Sequence, residues 1–137
     1  MFAPAGGKPS ASLARWRLHD VWQDLGHPLP GALTTAELTG WGRLAGPAVD
    51  LQLRALPPDA SGFHVLGTTR IDAPALGGIL VPSPTVLLPF TGDAHGRAVL
   101  RLPVPAGLPP GATVYTQAWF IDQGATVAAS NALQVQR

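Results

Sequence analysis

The sequence predicts an all-β protein, an antiparallel sandwich of about seven or eight strands behind an N-terminal arm, and three observations predict it. Apolar and polar residues alternate in several short runs, most clearly Val49, Leu51, Leu53 and Ala55 against Asp50, Gln52 and Arg54. That period of two lets a strand bury one face and wet the other. The 16 glycines and 15 prolines of this 137-residue chain fall between those runs, as turn punctuation does. Beyond residue 33 no stretch has the helical period that a crossover between parallel strands requires.

Taken in order, residues 1–12 are rich in Pro, Gly, Ser and Ala and read as an extended arm, suited to exchange between subunits. Residues 13–25 carry the one helical period, with Ala14, Leu18, Val21, Trp22 and Leu25 on one stripe and Gly26 and Pro28 as a stop. A strand competes there, since Ala14, Trp16 and Leu18 also alternate with Arg15, Arg17 and His19. The division is therefore residues 1–32 as arm, with a short helix over 13–25, and 33–137 as the sandwich. Expected strands are 37–44, 49–56, 63–68, 78–81, 85–90, 98–104, 114–121 and 131–136. Pro82, Pro84, Pro89 and Pro103 each remove a ladder donor, which points to edge strands or bulges in the middle of the chain.

Composition narrows the partners. Charged residues are 12% and the net charge is +1, so the basic footprint of a nucleic-acid binder is missing. No apolar run reaches the ~18–20 residues of a membrane span, so no membrane insertion is expected. Low charge leaves little repulsion between copies, which favours self-association. The one lysine against eight arginines fits a GC-rich genome equally well. There are no cysteines, hence no disulfides and no thiolate chemistry. The first eight residues hold no apolar stretch behind a basic flank, which leaves both an internal location and a removed leader open.

The last third carries the most recognisable pattern. Gly92-Asp93, Gly96-Arg97-Ala98 and Leu102-Pro103-Val104-Pro105 precede Gly111, Tyr115, Gln117-Ala118, Asp122 and Ser130-Asn131-Ala132-Leu133. These residues look like the closing strands of an immunoglobulin or fibronectin-type sandwich, with Tyr115 placed for a tyrosine corner and Asp122 opening the last hairpin. More specifically, the stretch from about residue 38 to 137 resembles a β-sandwich module found near the C-termini of secreted or surface proteins of planctomycetes and myxobacteria. The resemblance implies an extracellular or cell-surface structural module with no established chemistry. Two departures stand out: relatives often carry cysteines, and the Trp-rich segment 15–25 is outside the pattern.

Few residues invite catalysis. Asp93 and His95 share a Gly-flanked turn and offer two metal ligands, but spacing supplies no third, and no metal or other cofactor is expected. His19-Asp20 reads as a solvated pair. No Gly-x-Ser-x-Gly elbow occurs, and Glu37 is the only glutamate, so no catalytic residue is assigned and a non-enzymatic role is expected. The tryptophans remain. Trp22 and Trp119 suit the core, whereas Trp16, Trp22 and Trp41 form the candidate interaction surface, and Tyr115, Gly111, Asp122 and Asn131 the structural turn and corner set. The expected role is assembly through the arm or edge strands, with itself or another surface protein. The alternative is a module that binds a carbohydrate or other ligand through exposed tryptophans.

Overall fold

The computed structural model describes residues 22–31, 34–122 and 126–137. Every regular element among them is a strand: β1 (Trp22–Gly26), β2 (Glu37–Gly42), β3 (Ala48–Arg54), β4 (Ser61–Gly67), β5 (Arg70–Ala75), β6 (Gly78–Pro82), β7 (Val86–Thr91), β8 (Ala98–Pro103), β9 (Thr113–Asp122), β10 (Thr126–Ala129) and β11 (Ala132–Gln136). The larger sheet runs β1-β11-β9-β4-β7, with β10 also on β9, and the smaller runs β2-β3-β8. All pairings are antiparallel, and β5 and β6 form a separate hairpin. This is the expected all-β antiparallel sandwich, with β2, β3 and β8 facing β11, β9, β4 and β7.

Alternation builds the core. On β3, Val49, Leu51 and Leu53 point inward and are buried while Asp50 and Gln52 stay partly wet. Across the gap, Ala118 and Phe120 of β9 and Leu133 of β11 meet Leu38, Leu51, Leu53 and Ala98. A second cluster, Leu44, Val49 and Val135, closes one end.

Three strands go beyond the expected set, making eleven rather than seven or eight. β1 replaces the last turn of the expected helix; the expected arm over 1–12 and the rest of the helix, residues 13–21, lie outside the described residues. The strand wins here because β11 offers an open ladder to Trp22–Gly26, and the Trp22 indole reaches the other sheet. The sandwich therefore takes in part of the expected arm, since Leu29 also bridges Ala129. β5 is not among the expected strands although Ile71, Ala73 and Ala75 alternate with Arg70 and Asp72, because the run is short, holds Pro74 and stays largely open to solvent. β10 is split from β11 by a bulge: Ala129 faces Trp119 while Leu133 faces Thr116, so one strand spends an extra residue. Ser130 fills that gap, its Oγ accepting the Ala118 N–H at 3.0 Å and donating to the Asn131 carbonyl at 2.9 Å.

The free edges are closed by side chains. Asn131 accepts the Leu38 N–H (2.7 Å) and donates to the Leu38 carbonyl (3.0 Å), so one carboxamide stands in for a neighbouring strand on β2. Trp22 Nε1 donates to the Gly42 carbonyl at 2.7 Å farther along the same edge. Gly40 must be glycine for this, because a Cβ there would overlap the Trp22 ring. Gln117 does for β6 what Asn131 does for β2: it accepts the Val81 N–H (3.1 Å) and donates to the Ile79 carbonyl (3.1 Å).

Proline guards two further edges, those of β7 and β8. The Gly92 N–H bonds the Ala60 carbonyl at 2.7 Å, and ladder bonds alternate along an antiparallel pair. On β7 the backbone of Leu87 and Pro89 therefore faces outward. The Val104 N–H bonds the Pro47 carbonyl at 2.9 Å, which by the same alternation turns Val99, Arg101 and Pro103 of β8 outward. Pro89 and Pro103 each remove a donor where an incoming strand needs one.

The β5–β6 turn breaks a local rule. Ala75 pairs with Gly78 across a two-residue loop, with Leu76 at φ 50° and Gly77 at φ 89°. Both positions of such a turn need positive φ, which Asn, Asp or Gly adopt far more readily than leucine. Leu76 is also 74% exposed. Leu76→Asn should therefore raise stability by about 0.5–1 kcal/mol in urea denaturation; a loss of stability would show that its side chain makes a needed contact.

Candidate functional site

The two outer faces of the sandwich differ in chemistry. On the smaller sheet, Glu37, Thr39 and Trp41 of β2 lie opposite Arg54, Gln52 and Asp50 of β3. Arg54 pairs with Glu37, and Arg101 of β8 lies 3.9 Å from Asp50. The outer face is mostly polar but carries two exposed apolar side chains, Trp41 (51% exposed) near the end of the edge strand β2 and Val99 (69% exposed) on β8. At the β1–β2 side it passes into a cleft of about 420 Å³ lined by Trp22, Asp24, Glu37, Trp41 and Arg54. Two of the three tryptophans picked out from sequence, Trp22 and Trp41, thus meet at one cleft. Trp16 lies outside the described residues.

Trp22 is half-buried and packs on both core clusters, so its role is largely structural. Trp119 sits instead on the outer side of β9, under the hairpin, with Nε1 bonded to Gln117 Oε1 at 3.0 Å.

The outer face of the larger sheet is apolar. Phe63 on β4, Leu87 on β7 and Ile121 on β9 are each about half exposed, and the β5–β6 hairpin overhangs them. Together they bound a cavity of about 570 Å³ lined also by Leu76, Leu80 and Pro89, with no charged side chain in its wall. Leu76 and this face were not singled out from sequence. The one signal was the apolar residues left over on the outward side of strands already recognised.

The corner and turn residues occupy structural places. Gly111 takes φ 84° where the chain enters β9, and its N–H bonds the Arg137 carbonyl at 3.2 Å. Asp122 ends β9 buried, its carboxylate against Gly31 where a Cβ would not fit. Tyr115 is half-buried opposite Gly67 and Gln134, and among the described residues its hydroxyl makes no hydrogen bond to upstream backbone.

Asp93 and His95 do not converge with further ligands: among the described residues no three His, Asp or Glu side chains stand together for a metal. Asp93 Oδ1 instead accepts the His95 N–H (2.8 Å) and the Arg97 N–H (3.0 Å), tying the turn. Those bonds, the one from Arg97 foremost, hold its carboxyl below the usual aspartate range, while burial opposes. His19 and Asp20 lie outside the described residues.

His64, unremarked in the sequence, is the most perturbed group. It faces the core between Leu88 and Ala118, wholly buried, with its ring 5.0 Å from that of Phe90. Neither ring nitrogen has a hydrogen-bond partner among the described residues. Burial pushes its pKa down to about 4, so the ring is neutral at pH 7. Among the described residues no acid or base partner faces it. Compared with known proteins, the sequence matches no family model, no curated protein and no solved structure.

Proposed function

We propose that the chain is a non-catalytic structural module of the extracellular space or cell surface, working by association with itself or with another surface protein. The observation that carries this reading is the charge-free apolar face formed by Phe63, Leu87 and Ile121 under the β5–β6 hairpin. Half-exposed side chains of this size are costly to leave in water together, and such patches mark contact surfaces. A chain of net charge +1 meets its own copy with little repulsion. The extracellular placement rests on the resemblance in the last third of the chain.

Association through the edge strands, expected from sequence, loses support at β2, β7 and β8, where Asn131, Pro89 and Pro103 occupy or disable the edge. The apolar face takes that role in this reading. Sedimentation equilibrium across a wide concentration range tests it. The wild type should associate, and Ile121→Lys should shift it toward monomer by tenfold or more in dissociation constant. Residues 1–21 of the expected arm lie outside the described residues, and a chain lacking them tells whether they add to the association. A wild type that stays monomeric and binds no surface protein, or association unmoved by Ile121→Lys, would overturn the reading.

A further inference from the structure

We propose that the outer face of the β2-β3-β8 sheet is a saccharide-binding site, with the Trp41 indole as its platform and a neutral sugar as its ligand. Trp41 contributes to no core cluster and is half exposed. Trp22 and Trp119 both have their Nε1 hydrogen-bonded, to Gly42 and Gln117, whereas that of Trp41 has no partner among the described residues. A large ring left out in the open on a polar face is a contact surface awaiting an apolar partner of its own shape. One face of a pyranose ring is such a partner: its C–H bonds carry the partial positive charge that the indole π face attracts.

The surroundings suit the hydroxyl groups at the rim of a sugar. Glu37–Arg54 and Asp50–Arg101 form two cross-strand pairs on this same face. Asp50 lies directly opposite Trp41, and Glu37 with Arg54 lies farther along the same face, so carboxylate acceptors and guanidinium donors flank the ring on one side. The cleft of about 420 Å³ beside Trp41 has the size of a small-ligand site. Its charged lining is Asp24, Glu37 and Arg54, one negative charge in excess, which disfavours sulfated or uronic-acid polymers. A purely apolar ligand would strip water from those charges without replacing their hydrogen bonds.

Native electrophoresis through gels containing hydroxyethyl cellulose, xylan, mannan or heparin tests the site. The wild type should be retarded by at least one of the three neutral polymers and not by heparin alone. Trp41→Ala should weaken that retardation tenfold or more with an unchanged thermal midpoint, since the ring supports no core packing. Arg54→Ala, which removes only an exposed pair, should weaken it several-fold and serves if Trp41→Ala fails to fold. Ile121→Lys, on the opposite face, should be retarded as the wild type is, which separates this site from the association surface. Migration unaffected by all three neutral polymers, retardation by heparin alone, or undiminished retardation of Trp41→Ala and Arg54→Ala would overturn the proposal.

Discussion

Replacing Gln117 by leucine should lower the free energy of unfolding by about 3–5 kcal/mol and release the β5–β6 hairpin from the sheet. The side chain is completely buried. Its Oε1 accepts the Val81 N–H and Trp119 Nε1, and its Nε2 lies within 3.3 Å of the carbonyls of His27, Ile79 and Ser130. Leucine has the right bulk and none of these functions. The Val81 N–H would be left without an acceptor, and three carbonyls would lose their donor. Each buried polar group left unpaired costs about 1–3 kcal/mol, and Trp119, being half-buried, can still turn its N–H to water. A small domain has only about 5–15 kcal/mol to lose. Urea denaturation measures the total, and amide exchange at Val81 locates it. Gln117→Glu keeps the shape but sets a carboxylate against three carbonyl oxygens, so it should be destabilised too and should recover on acidification. A change below about 1 kcal/mol in Gln117→Leu would mean the hairpin is held by other contacts.

The second large effect is on pH dependence. His64 carries a folded-state pKa of about 4 against 6.5 for a free histidine. Because the folded value is the lower one, the unfolded chain binds the extra proton first as pH falls. The contribution of neutral His64 is complete above pH 6.5, declines from there and is exhausted below about pH 4. At about 1.4 kcal/mol per unit the loss comes to roughly 3 kcal/mol. Asp93, also lowered, acts in the same sense but below the ordinary aspartate range, outside this window. In His64→Leu the slope between pH 4 and 6.5 should vanish. Stability at pH 7 should rise by about 1–2 kcal/mol, since a buried ring with two unpaired nitrogens gives way to hydrocarbon. A wild-type urea midpoint that stays flat from pH 7 to 4.5 would contradict the buried, unpaired ring.

Strand alternation made most of the sandwich legible. Eight expected runs correspond to β2, β3, β4, β6, β7, β8, β9 and β11. The three others went unread for separate physical reasons. Trp22 and Leu25 sit three apart and satisfy a helical stripe, and only the open ladder of β11 decides for a strand. Arg70–Ala75 alternates only through Ile71 and two small alanines and is interrupted by Pro74, too little apolar bulk to mark a buried face. Thr126–Ala129 is separated from β11 by a bulge that Ser130 makes tolerable. Of the candidate surface, Trp41 was visible as an aromatic on a strand with polar neighbours. The apolar face was not, because Phe63, Leu87 and Ile121 lie on three strands whose adjacency is a matter of topology. Gln117 and Asn131 appeared in the sequence only as members of a familiar pattern. Their shared role, a carboxamide replacing a missing strand, needs the position of β6 and β2 to be seen.

The Asn131–Leu38 clamp joins residues 93 positions apart, and β1 pairs with the last strand. During synthesis the two layers therefore cannot lock until residues 131–136 have left the ribosome. The closure of one long loop, more than local preference, then governs the rate. Until that moment the segments that become β7 and β8 are outside the ribosome without the closed sandwich to cover them. Pro89 and Pro103, which deny those segments a donor at their outward positions, work against mispairing over the same interval.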